Sequence, residues 1–212
     1  MTDKQKHWQE ILDNLDKTID SMGLGLDENI KECVAGFIAN GFNTTSSCGG
    51  HLDSEGDGYL LSPYVRINAE GEPENEFVGE KEIKQKLLEK YNIHCTFSMF
   101  QNDDVWNEYK QSVKNLTEKM EDWKAWLKKN EEFRDKAIPV IDEYNKQNGY
   151  EKPKIVLKDV YPVYHVEYYI DTPNHKDIKP EDKEMIRKNI TDARVEFDKL
   201  TKFLKERYLK SK

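Results

Sequence analysis

Asn43-Thr44-Thr45-Ser46-Ser47-Cys48-Gly49-Gly50-His51 gathers four hydroxyls, a thiol, two glycines and an imidazole into nine residues. A packed core gains little from such residues. A pocket floor uses their donors, and glycine lets a ligand approach the backbone closely. Phe42–Ser47 reads as a short strand running into a Cys-Gly-Gly-His turn, so helical periodicity must stop just before it.

The preceding helix fits that reading. Ile30, Cys33, Val34, Phe37 and Ile38 form a broad apolar stripe, Asp27 stands at an N-cap position, and Gly41 falls where a C-terminal cap belongs. Further upstream, Trp8, Leu12, Leu15, Ile19 and Met22 predict a helix over 4–22 that stops at Gly23-Leu24-Gly25. Downstream come an acidic loop over 53–58, a strand over 59–67, a polar turn over 70–76 and a helix over 81–91. Next is a strand over 94–100, in which Ile93, Cys95, Phe97 and Met99 alternate with His94, Thr96 and Ser98. This order predicts an α/β domain over residues 1–102.

The second half has a different pattern. Trp106, Tyr109, Val113, Leu116, Met120, Trp123 and Leu127 recur at three and four, predicting one helix of about 25 residues with a coiled-coil-like seam. Pro139 should interrupt any helix that continues past it. Residues 154–171 are β-rich, and a last helix from about Pro180 carries Ile186, Ile190, Ala193, Phe197, Leu200 and Leu204. The two seams are expected to pack on each other as a helical hairpin over 103–212, although a partner chain could also cover them. The fold class is therefore α/β in the broad α+β sense: a small mixed sheet with packed helices, plus a long helical hairpin carrying a β insertion.

Composition bounds the function. Net charge is −8, which argues against generic attraction to a nucleic-acid backbone. Aromatics at 11% argue against disorder despite 35% charged residues. No run reaches the roughly 20 apolar residues of a membrane span, and Met1–Lys6 lacks an apolar signal core behind it. Cys33, Cys48 and Cys95 are odd in number and scattered, as expected of reduced thiols. The expectation is a cytoplasmic protein with no membrane partner, of a composition common in bacteria and phages.

Three chemistries compete at the turn. Thr44, Ser46, Ser47, Gly49 and Gly50, with Tyr64 and Arg66 on one face of the next strand, could cradle a small polar or anionic ligand. Cys48 could act as a nucleophile with His51 as its proton partner. Cys48 and His51 are also zinc ligand types, to which His94 or Cys95 could add, although neighbours on a regular strand point to opposite faces. The expected site has Cys48 and His51 as catalytic groups with no resident metal, and zinc binding by those two residues is the alternative. Tyr161, Tyr164, His165, Glu167, Tyr168 and Tyr169 form an aromatic strand that packs on helices or serves as a stacking platform.

Thr44–Gly50 resembles the T-T-S-S-C signature of the wybutosine-synthesis tRNA methyltransferases, with His51 where that family has Arg. The resemblance implies S-adenosylmethionine-dependent methyl transfer to a nucleic-acid base, with this loop at the active site. The turn also resembles uncharacterised bacterial and phage proteins with an S-C-x-G-H turn before a strand like Pro63-Tyr64-Val65. The expected function is a nucleotide-related small-ligand binding or modifying protein. The alternative class is a non-catalytic interaction factor, of phage or host-defence type, working through its acidic helical surface.

Overall fold

The computed structural model describes residues 1–19, 25–52, 61–94, 99, 102–169 and 182–211. They form an α+β fold: α1 (Asp3–Leu15), α2 (Glu28–Ala39), β1 (Thr44–Cys48), β2 (Tyr64–Ile67), α3 (Glu80–Tyr91), α4 (Asp103–Val113), α5 (Glu121–Gln147), β3 (Ile155–Val160), β4 (Val163–Tyr168) and α6 (Lys183–Lys210). The chain divides into two compact units. One comprises residues 1–69 and 130–212, the other residues 70–129. This differs from the expected boundary at 102/103, because the β-rich segment after residue 154 pairs with a strand from the first half.

The sheet of the first unit has the order β1-β2-β4-β3. All three pairings are antiparallel, where a mixed sheet was expected. Alternation sorts its side chains. Val65, Ile67, Ile155 and Val166 are fully buried and, with Tyr164, build the core-facing side. Against them lie Ile30, Val34 and Phe37 of α2, and Phe197, Leu200 and Leu204 of α6. Each such side chain contributes about 1.5–3 kcal/mol when fully buried.

Thr2 opens α1 with a capping box: its hydroxyl accepts from the Gln5 amide, and the Gln5 side chain accepts from the Thr2 amide at 2.7 Å. The helix ends at Leu15 rather than running to residue 22, and Ile19 is left exposed in a bridge to Gly25. Met22 lies outside the described residues. In α6 the expected seam is buried at Ile190, Ala193, Phe197, Leu200 and Leu204. Its partners are α2 and the later turns of α5, where Tyr144 donates to the Glu196 carboxylate and meets Phe203 edge-on. The two seams therefore do not form the expected hairpin: that of Trp106–Leu127 belongs to the other unit up to Leu127.

In that second unit the expected 25-residue helix is broken into α4 and the start of α5. Residues 118–120 instead run antiparallel to 76–78. Val78 N–H donates to Glu118, and Met120 N–H donates to Glu76, each at 2.9 Å. Leu87, Met99 and Val105 form the local core. Most of the strand expected over 94–100 falls on residues outside the described set; Met99 itself is helical and fully buried. Pro139 interrupts nothing, since α5 runs through it. A proline costs the helix one hydrogen bond and some crowding, and burial of Ala137, Val140, Ile141 and Tyr144 around it outweighs that cost.

Burial raises the pKa of Glu80, Glu167 and Glu196. Hydrogen bonds from Lys84, Tyr109 and the Phe77 amide, from His165 and Lys158, and from Tyr144, Tyr150 and Lys199 outweigh it, so all three carboxyls lie below the usual 4.5. A depressed carboxylate contributes stability that is present above pH 4.5 and lost as pH falls through the folded value. Burial pushes the Cys33 thiol from 9.0 up to about 12, a contribution present below pH 9.0 and lost as pH rises. Urea midpoints should hold a plateau near neutrality, drop below pH 4.5 and soften above pH 9.0. A midpoint that rises on acidification to about pH 3.5 would contradict this.

Candidate functional site

β1 delivers Cys48 to the edge of the sheet, and the chain then reverses through Gly49 and Gly50. His51 pairs back with Leu61, N–H to O at 2.8 Å and Leu61 N–H to His51 O at 3.0 Å. Both glycines are required. Gly50 has φ +82°, and a Cβ there would stand 2.8 Å from the Pro63 ring. A Cβ on Gly49 would lie 1.7 Å from Asn29 Oδ1. Gly50→Ala should therefore cost about 1–3 kcal/mol through left-handed strain and the Pro63 clash. Thermal unfolding checks it, with Gly71→Ala, also at positive φ but with nothing within 4 Å, reporting the strain alone.

The turn is held from two directions. Asn29 Nδ2 donates to the Gly49 carbonyl at 2.8 Å, while Arg194 donates to the Gly50 carbonyl at 2.6 Å and to that of Gly49 at 3.3 Å. Its amide donors point inward as well. Gly49 N–H donates to Asp27 Oδ2 at 2.8 Å, and Gly50 N–H to Cys48 Sγ at 3.3 Å. The anion cradle expected from these amides is thus closed, because both donors already serve acceptors within the chain. The Asp27 carboxylate beside them would also repel an anion.

What converges here suits a cation. One ligand atom each of Asp27, Cys48 and His51 lies within 4.8 Å of the others, and His51 Nε2 is 3.8 Å from Asp27 Oδ2. Cys48 is buried, whereas the side chains of His51 and Asp27 remain 22% and 38% exposed, so the cluster opens to solvent on one side. Asp27 precedes α2 but makes no side-chain cap bond to that helix. Its carboxylate turns to Gly49 and His51 instead.

Residues of the other sheet face continue from this edge. In register run Ser46, Arg66, His165 and Lys158, and beside them Cys48, Tyr64 and Glu167. The Tyr64 and His165 rings stack with centroids 4.6 Å apart and planes within 5°. Tyr64 OH is 3.1 Å from Ser46 Oγ, and His165 Nδ1 is 3.1 Å from Glu167 Oε1. Of the expected site, the structure brings Cys48 to His51, and Ser46 to Tyr64, with Arg66 in the adjacent register. Ser47 and Thr44 are paired with Val65 and Ile67 on the core-facing side, and the buried Ser47 hydroxyl has no hydrogen-bond partner among the described residues. The guanidinium at the turn belongs to Arg194, not Arg66.

Sequence reasoning missed Asp27 as more than a cap, and missed Asn29 and Arg194 altogether. Only the unusual density of Asp27, Asn29 and Cys-Gly-Gly-His around one helix start hinted at the first two. Arg194 is 144 residues from Gly50 and carries no local signal. His94 is not in the cluster, and Cys95 and His175 lie outside the described residues.

A cavity of about 1100 Å³ opens elsewhere in this unit, among Phe42, Lys136, Glu143, Phe203 and Arg207. Arg207 is paired there with Glu143, and Lys210 with Glu206. It brings together no nucleophile or metal-ligand set. Among the described residues no helix is long and apolar enough to cross a membrane. No protein-family model matches the chain, and neither does any curated protein or solved structure.

Proposed function

We propose that the chain binds, and acts on, a small polar ligand of nucleotide type over the sheet face that carries Ser46, Tyr64, Arg66 and His165. The observation that carries this reading is the parallel Tyr64–His165 stack beside a guanidinium on the solvent-side face of an otherwise apolar sheet. Stacked rings offer a flat surface to a planar base, and Arg66 supplies a charge-assisted donor for a phosphate or carboxylate. The Cys48–His51 turn borders the same face, where a thiol and an imidazole would polarise the ligand or move a proton. The Thr44–Gly50 signature makes methyl transfer from S-adenosylmethionine the specific version to test. A four-stranded antiparallel sheet leaves the cofactor's own contacts unassigned.

Calorimetry against a nucleotide panel and S-adenosylmethionine tests this. Loss of a charge-assisted hydrogen bond is worth about 1.5–3 kcal/mol, so Arg66→Ala should weaken binding by about ten- to a hundredfold. Tyr64→Ala and His165→Ala should weaken it as well. If no panel member binds, or if Arg66→Ala binds as tightly as the unmodified chain, the reading fails.

A further inference from the structure

We propose that Asp27, Cys48 and His51 are the three protein ligands of a zinc-type metal site with an open fourth position. The site borders the ligand face described above and does not depend on that reading. Zinc takes thiolate at about 2.3 Å and imidazole or carboxylate at about 2.0–2.2 Å, which sets tetrahedral ligand atoms about 3.3–3.7 Å apart. The three atoms here lie within 4.8 Å of one another, with the imidazole and carboxylate at 3.8 Å. Side-chain torsions alone close the remaining gap of about 1 Å.

The donor set selects the metal. Calcium and magnesium take oxygen ligands and have no use for a thiolate. A purely soft ion would not favour the carboxylate. One sulfur, one nitrogen and one oxygen together suit borderline zinc, and three protein ligands rather than four are the pattern of a site that keeps a position for water or substrate. The exposed side of Asp27 and His51 provides that opening.

The surroundings are those of an oriented site. Gly50 N–H donates to Cys48 Sγ, which favours the thiolate, and Gly49 N–H donates to Asp27 Oδ2, which sets the carboxylate. Cys48 and His51 stand three apart across a left-handed glycine, so strand end and turn aim both at one point. Asn29 and Arg194 hold the carbonyls of that turn, tying its shape to α2 and α6. Bound zinc would sit beside the Ser46–Tyr64 edge, next to the face assigned to the ligand.

The test uses the full-length chain without a histidine tag, stripped of metal and titrated with zinc chloride alone. Elemental analysis after dialysis should find one zinc per chain. Cobalt(II) in its place should show a sulfur-to-cobalt charge-transfer band and the intense visible bands of tetrahedral coordination. Cys48→Ala, His51→Ala and Asp27→Asn should each weaken zinc binding by about tenfold or more, while His7→Ala, exposed in α1, should leave it unchanged. Circular dichroism confirms that each variant is folded; if one is not, the cobalt spectrum of the unmodified chain decides alone. Substoichiometric zinc, cobalt bands without sulfur charge transfer, or folded variants that retain full zinc affinity would each overturn the proposal. Zinc refusal combined with rapid alkylation of Cys48 would also overturn it, marking the triad as a thiol nucleophile with His51 and Asp27 as its proton partners. Neither outcome requires a nucleotide, so failure here and failure of the ligand face are separable.

Discussion

Gly36→Val should destabilise the first unit by about 2–4 kcal/mol. A Cβ at Gly36 would stand 2.9 Å from Leu204 Cβ and 3.2 Å from its Cδ1. Leu204 Cβ is one bond from the backbone of α6 and fully buried, so it cannot swing aside. The helices must move apart, and that separation also stretches the 3.0 Å bond from Asn40 Nδ2 to the Leu204 carbonyl. Gly36→Ala should lose less, because removing glycine from a helix interior recovers about 1 kcal/mol. Urea denaturation measures both. In the double variant Gly36→Val/Leu204→Ala the loss should be smaller than the sum of the singles, since the two residues share one contact. An unchanged midpoint for Gly36→Val would mean that α2 and α6 do not approach as described.

Glu80→Ala should destabilise the second unit by about 3–5 kcal/mol. Glu80 is 3% exposed and stands at the start of α3. Its carboxylate accepts from the amides of Glu76 and Phe77 at 2.6 and 2.9 Å, from Tyr109 OH at 2.7 Å and from Lys84 at 2.6 Å. Removing it leaves buried donors without acceptors, each costing about 1–3 kcal/mol, and strands the Lys84 charge. It also frees the strand-like contact between 76–78 and 118–120, which starts from the same amides. Hydrogen exchange localises the effect: amides of α3 and α4 should lose protection first. Glu80→Gln keeps the shape and one acceptor, so its loss should be smaller. Equal protection in Glu80→Ala would show that the network is incidental.

Local patterns that are self-sufficient were legible. The stripe of α2, the Gly41 cap and the α6 seam each follow from periodicity and appear as expected, because a helix with a continuous apolar face buries that face in almost any compact context. The Trp106–Leu127 seam looked equally strong and was broken. Its middle residues gain more from backbone pairing with 76–78 than from another helical turn, and no count of apolar spacing contains that competition. Pro139 misled in the other direction, since burial on both sides holds α5 together through it.

The candidate site divides in the same way. Chemistry-bearing residues close in sequence were visible: Cys48 with His51 across a glycine pair, and Ser46 with the Tyr64–Arg66 strand. The amide cradle was misread because hydrogen-bond donors have no free direction in a sequence; only the fold reveals that Asp27 and Cys48 already accept them.

By itself, the sequence determined the helix faces, the strand-to-turn junction at Cys48 and the residue types available for chemistry, because those follow from periodicity and local backbone preference. Tertiary structure alone decided that β3 and β4 join the first-half strands, that Arg194 clamps the turn and that Asp27 completes a three-residue cluster. These are contacts between residues far apart in the chain, or choices between partners for one polar group. Their energies depend on which surfaces meet, a quantity that exists only once the chain has folded.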